Sequence, residues 1–197
     1  MLTSFRPLKP ALIPPETRFA EPTQAMPEKV TLEDPALSVM TDFKKISAVL
    51  VRPGDSLDEA NRRMIQRRVR MLLVVDENRN VAGLITASDI LGEKPLQIIS
   101  ERGGHRDDIA VRDIMAPPAR LEALRMSDVA AARVGHIVAT LRESGRQHAL
   151  VVDSDADGRA RARGVFSLTQ IARQLGLSVQ ASEIARTFSE IEAQLVH

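Results

Sequence analysis

The sequence predicts an α+β fold built from two βαββα repeats, on three observations. First, three blocks recur in the same order: Val39-Met40 as Ile114-Met115, Leu72-Leu73-Val74-Val75-Asp76 as Ala149-Leu150-Val151-Val152-Asp153, and residues 83–90 as 164–171. Their offsets of 75, 77 and 81 residues differ only by what surface loops absorb. Second, each copy alternates short β-type apolar runs with helical stretches of amphipathic period. Third, half of the strands are apolar on both faces, so neither copy can shield itself. The two are expected to pack sheet to sheet with helices outside.

Taken in order, the first 35 residues carry seven prolines, which remove backbone donors and block regular helix. They are expected to form an extended arm or a disordered tail that can pack along a neighbour. Residues 36–92 form the first repeat, 93–110 a linker, 111–177 the second repeat and 178–197 a C-terminal helix. In the first repeat, 48–51 is a strand stopped by Pro53-Gly54, and Ser56-Leu57-Asp58-Glu59 is a capping box that opens a helix. Leu57, Ala60, Met64 and Ile65 are its expected buried face. Runs at 71–75 and 81–85 flank a polar turn, and a short helix follows from Thr86 to Leu91, stopped by Gly92. In the second repeat, strands are expected at 121–124, 148–152 and 162–166. One helix should span 129–144 with Val134, Ile137, Val138 and Leu141 buried and Gly145 as a left-handed cap, and a last short helix should end at Gln174. Beyond Gly176, Ile184, Phe188, Ile191 and Leu195 mark an amphipathic helix suited to a dimer contact or a lid, the plain alternative being a helix folded back on its own core.

Composition excludes several functions. Aromatics make up 3% of the chain and Trp and Tyr are absent, which removes the stacking surface that single-stranded nucleic acid uses. Charge is balanced, 27 Lys and Arg against 26 Asp and Glu, so the total calls for no polyanionic partner. With no Cys there is no disulfide, thiolate metal site or Cys nucleophile, and four His without HExxH spacing point to no metal. No P-loop, Gly-rich dinucleotide turn or nucleophile elbow is present, so no enzyme chemistry is expected. No apolar run approaches the ~18 residues of a membrane helix and the start lacks a signal-peptide core, so the protein reads as cytoplasmic with no membrane partner.

The strand ending in Val-Val-Asp and the segment Gly-hydrophobic-x-Thr/Ser-x-x-Asp, present as Gly83 to Asp89 and duplicated in register, resemble the cystathionine-β-synthase (CBS) type domain. The likeness covers roughly residues 36 to 177. It implies a pseudo-two-fold pair of repeats, called a Bateman module, that is commonly a homodimer and has two clefts where adenosyl ligands can sit. The ligand implied is an adenine nucleotide such as AMP, ATP or NAD, as a regulator and not as a required cofactor.

Within that resemblance, Thr86 sits where a strand turns into a helix, so its hydroxyl and the first free amides can address an anion. Asp89, one turn inside, can accept ribose hydroxyls; the plain alternative is a helix N-cap with an acidic first-turn residue. In the second copy Ser167 keeps the hydroxyl but Gln170 replaces the acid, so the side served by Asp89 is expected to bind better. Arg70 and His148, just before the central strands, are the expected phosphate contacts, His148 fully only when protonated. Adenine is expected against the stretch holding Ile46 and Ala48. A regulatory nucleotide-binding module that signals through changed self-association, or through an effector protein, is therefore the leading reading. The alternatives are an interaction scaffold with vestigial clefts and a nucleic-acid-associated regulator using Arg62, Arg63, Arg67, Arg68 and Arg70 or Arg159, Arg161 and Arg163. The second basic run lies beside Asp155 and Asp157, and nucleic acid is disfavoured.

Overall fold

In the computed structural model, which describes residues 9–18, 20 and 22–177, the duplicated blocks become two facing sheets. The strands are β1 (Thr41–Asp42), β2 (Leu50–Val51), β3 (Met71–Val75), β4 (Val81–Thr86), β5 (Ala123–Arg125), β6 (His148–Ser154) and β7 (Ala160–Ser167). One sheet has the order β2-β3-β4 and the other β1-β7-β6-β5. The matched pairs β3/β4 and β6/β7 are antiparallel and carry the same irregularity, between Val74 and Val75 and between Val151 and Val152. Because side chains alternate along a strand, β3 sends Met71 and Leu73 toward Leu150 and Val165 of the other sheet. Its Leu72 and Val74 turn the other way, onto a helix layer.

The helices are α1 (Leu57–Arg67), α2 (Ala87–Leu91), α3 (Lys94–Arg102), α4 (Val111–Ile114), α5 (Met126–Ala131), α6 (Val134–Ser144) and α7 (Leu168–Gln174). Ser56 caps α1 by accepting from the Glu59 amide, and Leu57, Ala60 and Met64 face the core. Ile65, expected on that face, is 68% exposed: the stripe at i, i+3 and i+7 already spans the contact with the sheet. Gly145 closes α6 in the left-handed region at φ 63°, over a buried stripe of Val134, Ile137, Val138 and Leu141. The single helix expected over 129–144 is two. The backbone at 132–134 is taken by another segment: Ala36 N–H donates to Ala132 C=O and Val134 N–H to Asp34 C=O, both at 2.9 Å. The stretch 93–110 holds α3 and a 3-10 turn over Arg106–Asp108, with Pro95 in the first turn of α3, where its missing N–H costs nothing. The first strand of the second repeat begins two residues later than expected, after a 3-10 turn at Pro118–Arg120.

The segment leading into each repeat packs on the other repeat. Residues of the 3-10 turn Ala36–Val39, with Met40, sit in the core around α6 and β7, while Ile109, Val111 and Ile114 sit in the core around α1 and β3. Thr41 pairs with Val165, and Ala116 bridges to Leu84; Pro35 bridges to Arg133, and Ala110 to Ser56. These crossings explain the duplicated glycine. A Cβ on Gly83 would lie 2.8 Å from the Ala116 carbonyl oxygen, and one on Gly164 2.6 Å from that of Thr41. The proline-rich arm follows the same course: Val30 is buried in the second core, and its N–H donates to Gln174 C=O at 2.9 Å. The C-terminal amphipathic stretch and the first eight residues lie outside the described residues.

Asp42 of β1 is buried and paired with Arg163 of β7. Burial by itself would raise its pKa. Hydrogen bonds from Arg163 and the Lys44 amide, with the charges of Arg163 and Lys45, nonetheless hold the carboxyl below its ordinary 3.8. The pair therefore contributes stability at neutral pH that is lost as pH falls through that depressed value.

Two outcomes are expected. Gly83→Ala and Gly164→Ala should each destabilise by about 1–3 kcal/mol, because backbone must move; unchanged melting temperatures in both would remove the crossing as a packing constraint. Asp42→Asn should cost up to about 3 kcal/mol by removing the nearer counter-charge of Arg163 and leaving it Asp153 at 3.9 Å, and a denaturant midpoint equal to wild type would show the pair to be dispensable.

Candidate functional site

The seam between the two sheets opens into a cleft of about 1240 Å³. Its floor is apolar and comes from both repeats: Ile46, Ala48, Leu50, Met71 and Leu73 from the first, Val165 from the second. Polar groups converge from three places. The end of α1 and the turn after it supply Arg67, Arg68 and Arg70, the start of β6 supplies His148, and the β7–α7 junction supplies Ser167, Thr169, Gln170 and Arg173. Pro22 of the arm and Leu177 lie at the same cleft. An apolar concavity with a few convergent polar groups is the usual form of a small-molecule site.

Six residues expected to bind are thus brought together: Ile46, Ala48, Arg70, His148, Ser167 and Gln170. Thr86 and Asp89 are not among the residues lining this cleft. Asp89 accepts at 2.8 Å from the Thr86 N–H and at 2.7 Å from its hydroxyl, and pairs through its other oxygen with Lys94. Thr86 accepts in turn from the Asp89 N–H at 3.3 Å. The grip of the first repeat is closed on itself as a capping box. Ser167 makes no side-chain cap bond among the described residues, and the Gln170 side chain is turned to Met26 and Gln174 instead of back to the helix start. Its hydroxyl stays available to the cleft. Gln170 has been taken up by the arm: its Nε2 lies 2.7 Å from Met26 Sδ and 3.3 Å from Gln174 Oε1, while Gln174 Nε2 donates to Pro27 C=O at 2.7 Å.

His148 does not supply the cation expected of it. Burial, and then the positive charge of Arg70, push its pKa down to about 4 against a weaker opposing pull from Asp89, so the ring is neutral at neutral pH. Its Nδ1 is sealed from solvent and has no hydrogen-bond partner among the described residues.

The arginines divide by their partners. Arg62 and Arg63 pair with Glu59, Arg161 with Asp155 and Arg163 with Asp42. Among the described residues, Arg67, Arg68, Arg70 and Arg173 have no acidic partner, and all four line the cleft. The sequence singled out the α1 cluster but not this sorting, and Thr169 and Arg173 carried no signal of their own. No three metal-ligating side chains converge among the described residues, and no described helix is long and apolar enough to cross a membrane.

The sequence profile of the CBS domain matches residues 32–95. The chain carries a CBS domain and has the fold of a tandem CBS pair. An uncharacterized conserved protein from Pyrococcus horikoshii is 23% identical with TM-score 0.54, the match covering 78% of this chain and 100% of that one. A conserved CBS domain protein of Thermoplasma acidophilum is 22% identical with TM-score 0.50, over 80% of this chain and 77% of its own. A protein with CBS domains from Burkholderia ambifaria is likewise 22% identical with TM-score 0.50, over 69% and 89%. At such identities the likeness is one of fold. A search of curated proteins found no match. In this CBS pair, the cleft lies on the seam between the two repeats.

The neutral His148 has a measurable consequence. Its folded-state pKa lies below the 6.5 of the free side chain, so an unfolded chain takes up a proton between these values and the native one does not. Stability should therefore fall as pH drops from about 6.5 toward about 4. His148→Gln should flatten that part of a melting-temperature profile, and a slope unchanged by the substitution would remove His148 as its source.

Proposed function

We propose that this protein is a regulatory module that binds an adenine nucleotide in the seam cleft. The observation that carries the reading is the Ser167 hydroxyl, unbonded among the described residues, at a strand-to-helix turn of a cleft also lined by apolar side chains and by arginines without acidic partners among those residues. Adenine lies against Ile46 and Ala48, ribose against Thr169 and Gln170, and phosphate against Ser167 and Arg70. Arg offers forked donors that match phosphate oxygens. The side served by Ser167 and Gln170 is the working one, because a ligand at Asp89 must first displace Lys94 and open the capping box.

The arm gives the site its output. A ribose that takes the Gln170 amide competes with Met26, so occupancy loosens the segment from Met26 to Val30. Signalling then proceeds through the released arm, by changed association with a second copy or an effector protein. A ligand shifts such an equilibrium only by its different affinity for the two arrangements, and Gln170 is where that difference arises.

Isothermal titration with AMP, ATP and NAD tests the reading. Saturable binding is expected for at least one, weakened about fivefold by loss of one hydrogen bond in Ser167→Ala and retained in Asp89→Ala. No heat from any of the three would leave the interaction scaffold as the better account.

A further inference from the structure

The two halves of the seam are alike in backbone and unlike in charge. Aligned by the internal offsets, Arg67 corresponds to Ser144, Arg68 to Gly145, Arg70 to Gln147 and Arg173 to Gly92. The symmetry-related half of the seam thus has an uncharged residue wherever this cleft has one of these four guanidiniums, three from the first repeat and Arg173 from the second. Its nearby Arg146 is occupied by Glu122 at 3.1 Å. Among the described residues, the one acid lining the cleft, Glu59, is held by Arg62 and Arg63. The whole chain has a formal net charge of +1, yet four guanidiniums without acidic partners among the described residues meet at this one opening.

Arg68 adds an independent sign. It ends α1 in the left-handed region at φ 53° and ψ 40°, with its N–H donating back into the last turn. Gly145 does the same work at φ 63° without a side chain and without strain. A left-handed arginine is unfavourable relative to glycine, and its charge makes no ion pair among the described residues. Strain held at the rim of a cleft is most simply read as serving what the cleft binds.

We propose that the cleft selects adenine nucleotides carrying three or more phosphates over the monophosphate, with Arg67, Arg68 and Arg173 reading the outer phosphates. This rests on the nucleotide reading above and specifies its ligand class. One phosphate is satisfied by Ser167 and Arg70 at the inner end. Three further cations at the mouth have work only when the phosphate chain continues outward, where each charge-assisted contact adds affinity.

Equilibrium binding of ATP, AMP and inorganic tripolyphosphate at low and moderate salt tests this. ATP is expected to bind at least tenfold tighter than AMP, through two or more added charge-assisted contacts, with a steeper loss on adding salt. The triple variant Arg67→Gln, Arg68→Gly, Arg173→Gln should remove the ATP advantage and leave AMP affinity within about twofold. Arg68→Gly alone should weaken ATP binding while raising the melting temperature by about 2 °C, a combination that a purely structural arginine would not give. Equal affinities for ATP and AMP overturn the proposal while the nucleotide reading stands. Tripolyphosphate binding without either nucleotide overturns the adenine part and keeps a polyanion site; binding of none overturns both.

Discussion

The structure depends on an exchange. The segment before each repeat completes the core of the other, and both are admitted by a glycine on the partner's last strand. Without Ala36, Val39 and Met40, the core around Phe166 and Leu141 would lose one wall; without Ile109, Val111 and Ile114, that around Leu72 and Ile85 would lose the same. Neither repeat has a full core of its own, so the pair folds as one body and the seam is held from both sides. A cleft on such a seam is lined by two repeats whose relative placement is fixed by packing, which suits it to a ligand that must touch both.

Much of this was legible in the sequence, and the reasons for the rest are physical. Strand positions showed through because β3 is buried on both faces over Met71–Val74, and β6 at Leu150 and Val151, so the centre of each reads as a continuous apolar run. Caps showed through because Ser56 and Gly145 do local work that any helix end requires. The exchange did not show, since periodicity reports that a face is buried and not what buries it. For the same reason the helix expected over 129–144 looked continuous: only the crossing strand at Asp34–Ala36 claims the backbone groups at 132–134. At the site, residue type and position brought six candidates to one place, while Asp89 is engaged in its helix cap. A carboxylate three residues after a Thr at a helix start satisfies the cap before it satisfies anything else, and sequence cannot show that Lys94 then closes the remaining oxygen.

Duplication also allows each half to serve as the control for the other. The backbone at Arg68 and Gly145 is the same left-handed cap, so the demands of the fold at this position are those of Gly145, and whatever Arg68 adds is surplus to folding. The same comparison separates Thr86 from Ser167. In the first repeat hydroxyl and carboxylate satisfy one another; in the second the Gln170 amide is engaged by the arm, and the Ser167 hydroxyl makes no hydrogen bond among the described residues.

His148 fits this asymmetry electrostatically. Its ring stands near Arg70 and Asp89, two groups of opposite sign from the first repeat, and the larger effects, burial and Arg70, keep it neutral. A neutral imidazole adds no cation beside Arg70, so of the two the arginine is the one that brings positive charge to that end of the cleft. An anion placed there would weaken the repulsion that depresses His148 and draw its pKa upward, coupling occupancy of the cleft to proton uptake below neutral pH. The direction of that coupling follows from charge: an anion favours the protonated imidazole, and one bound at the seam stands near both the imidazole of one repeat and the guanidinium of the other.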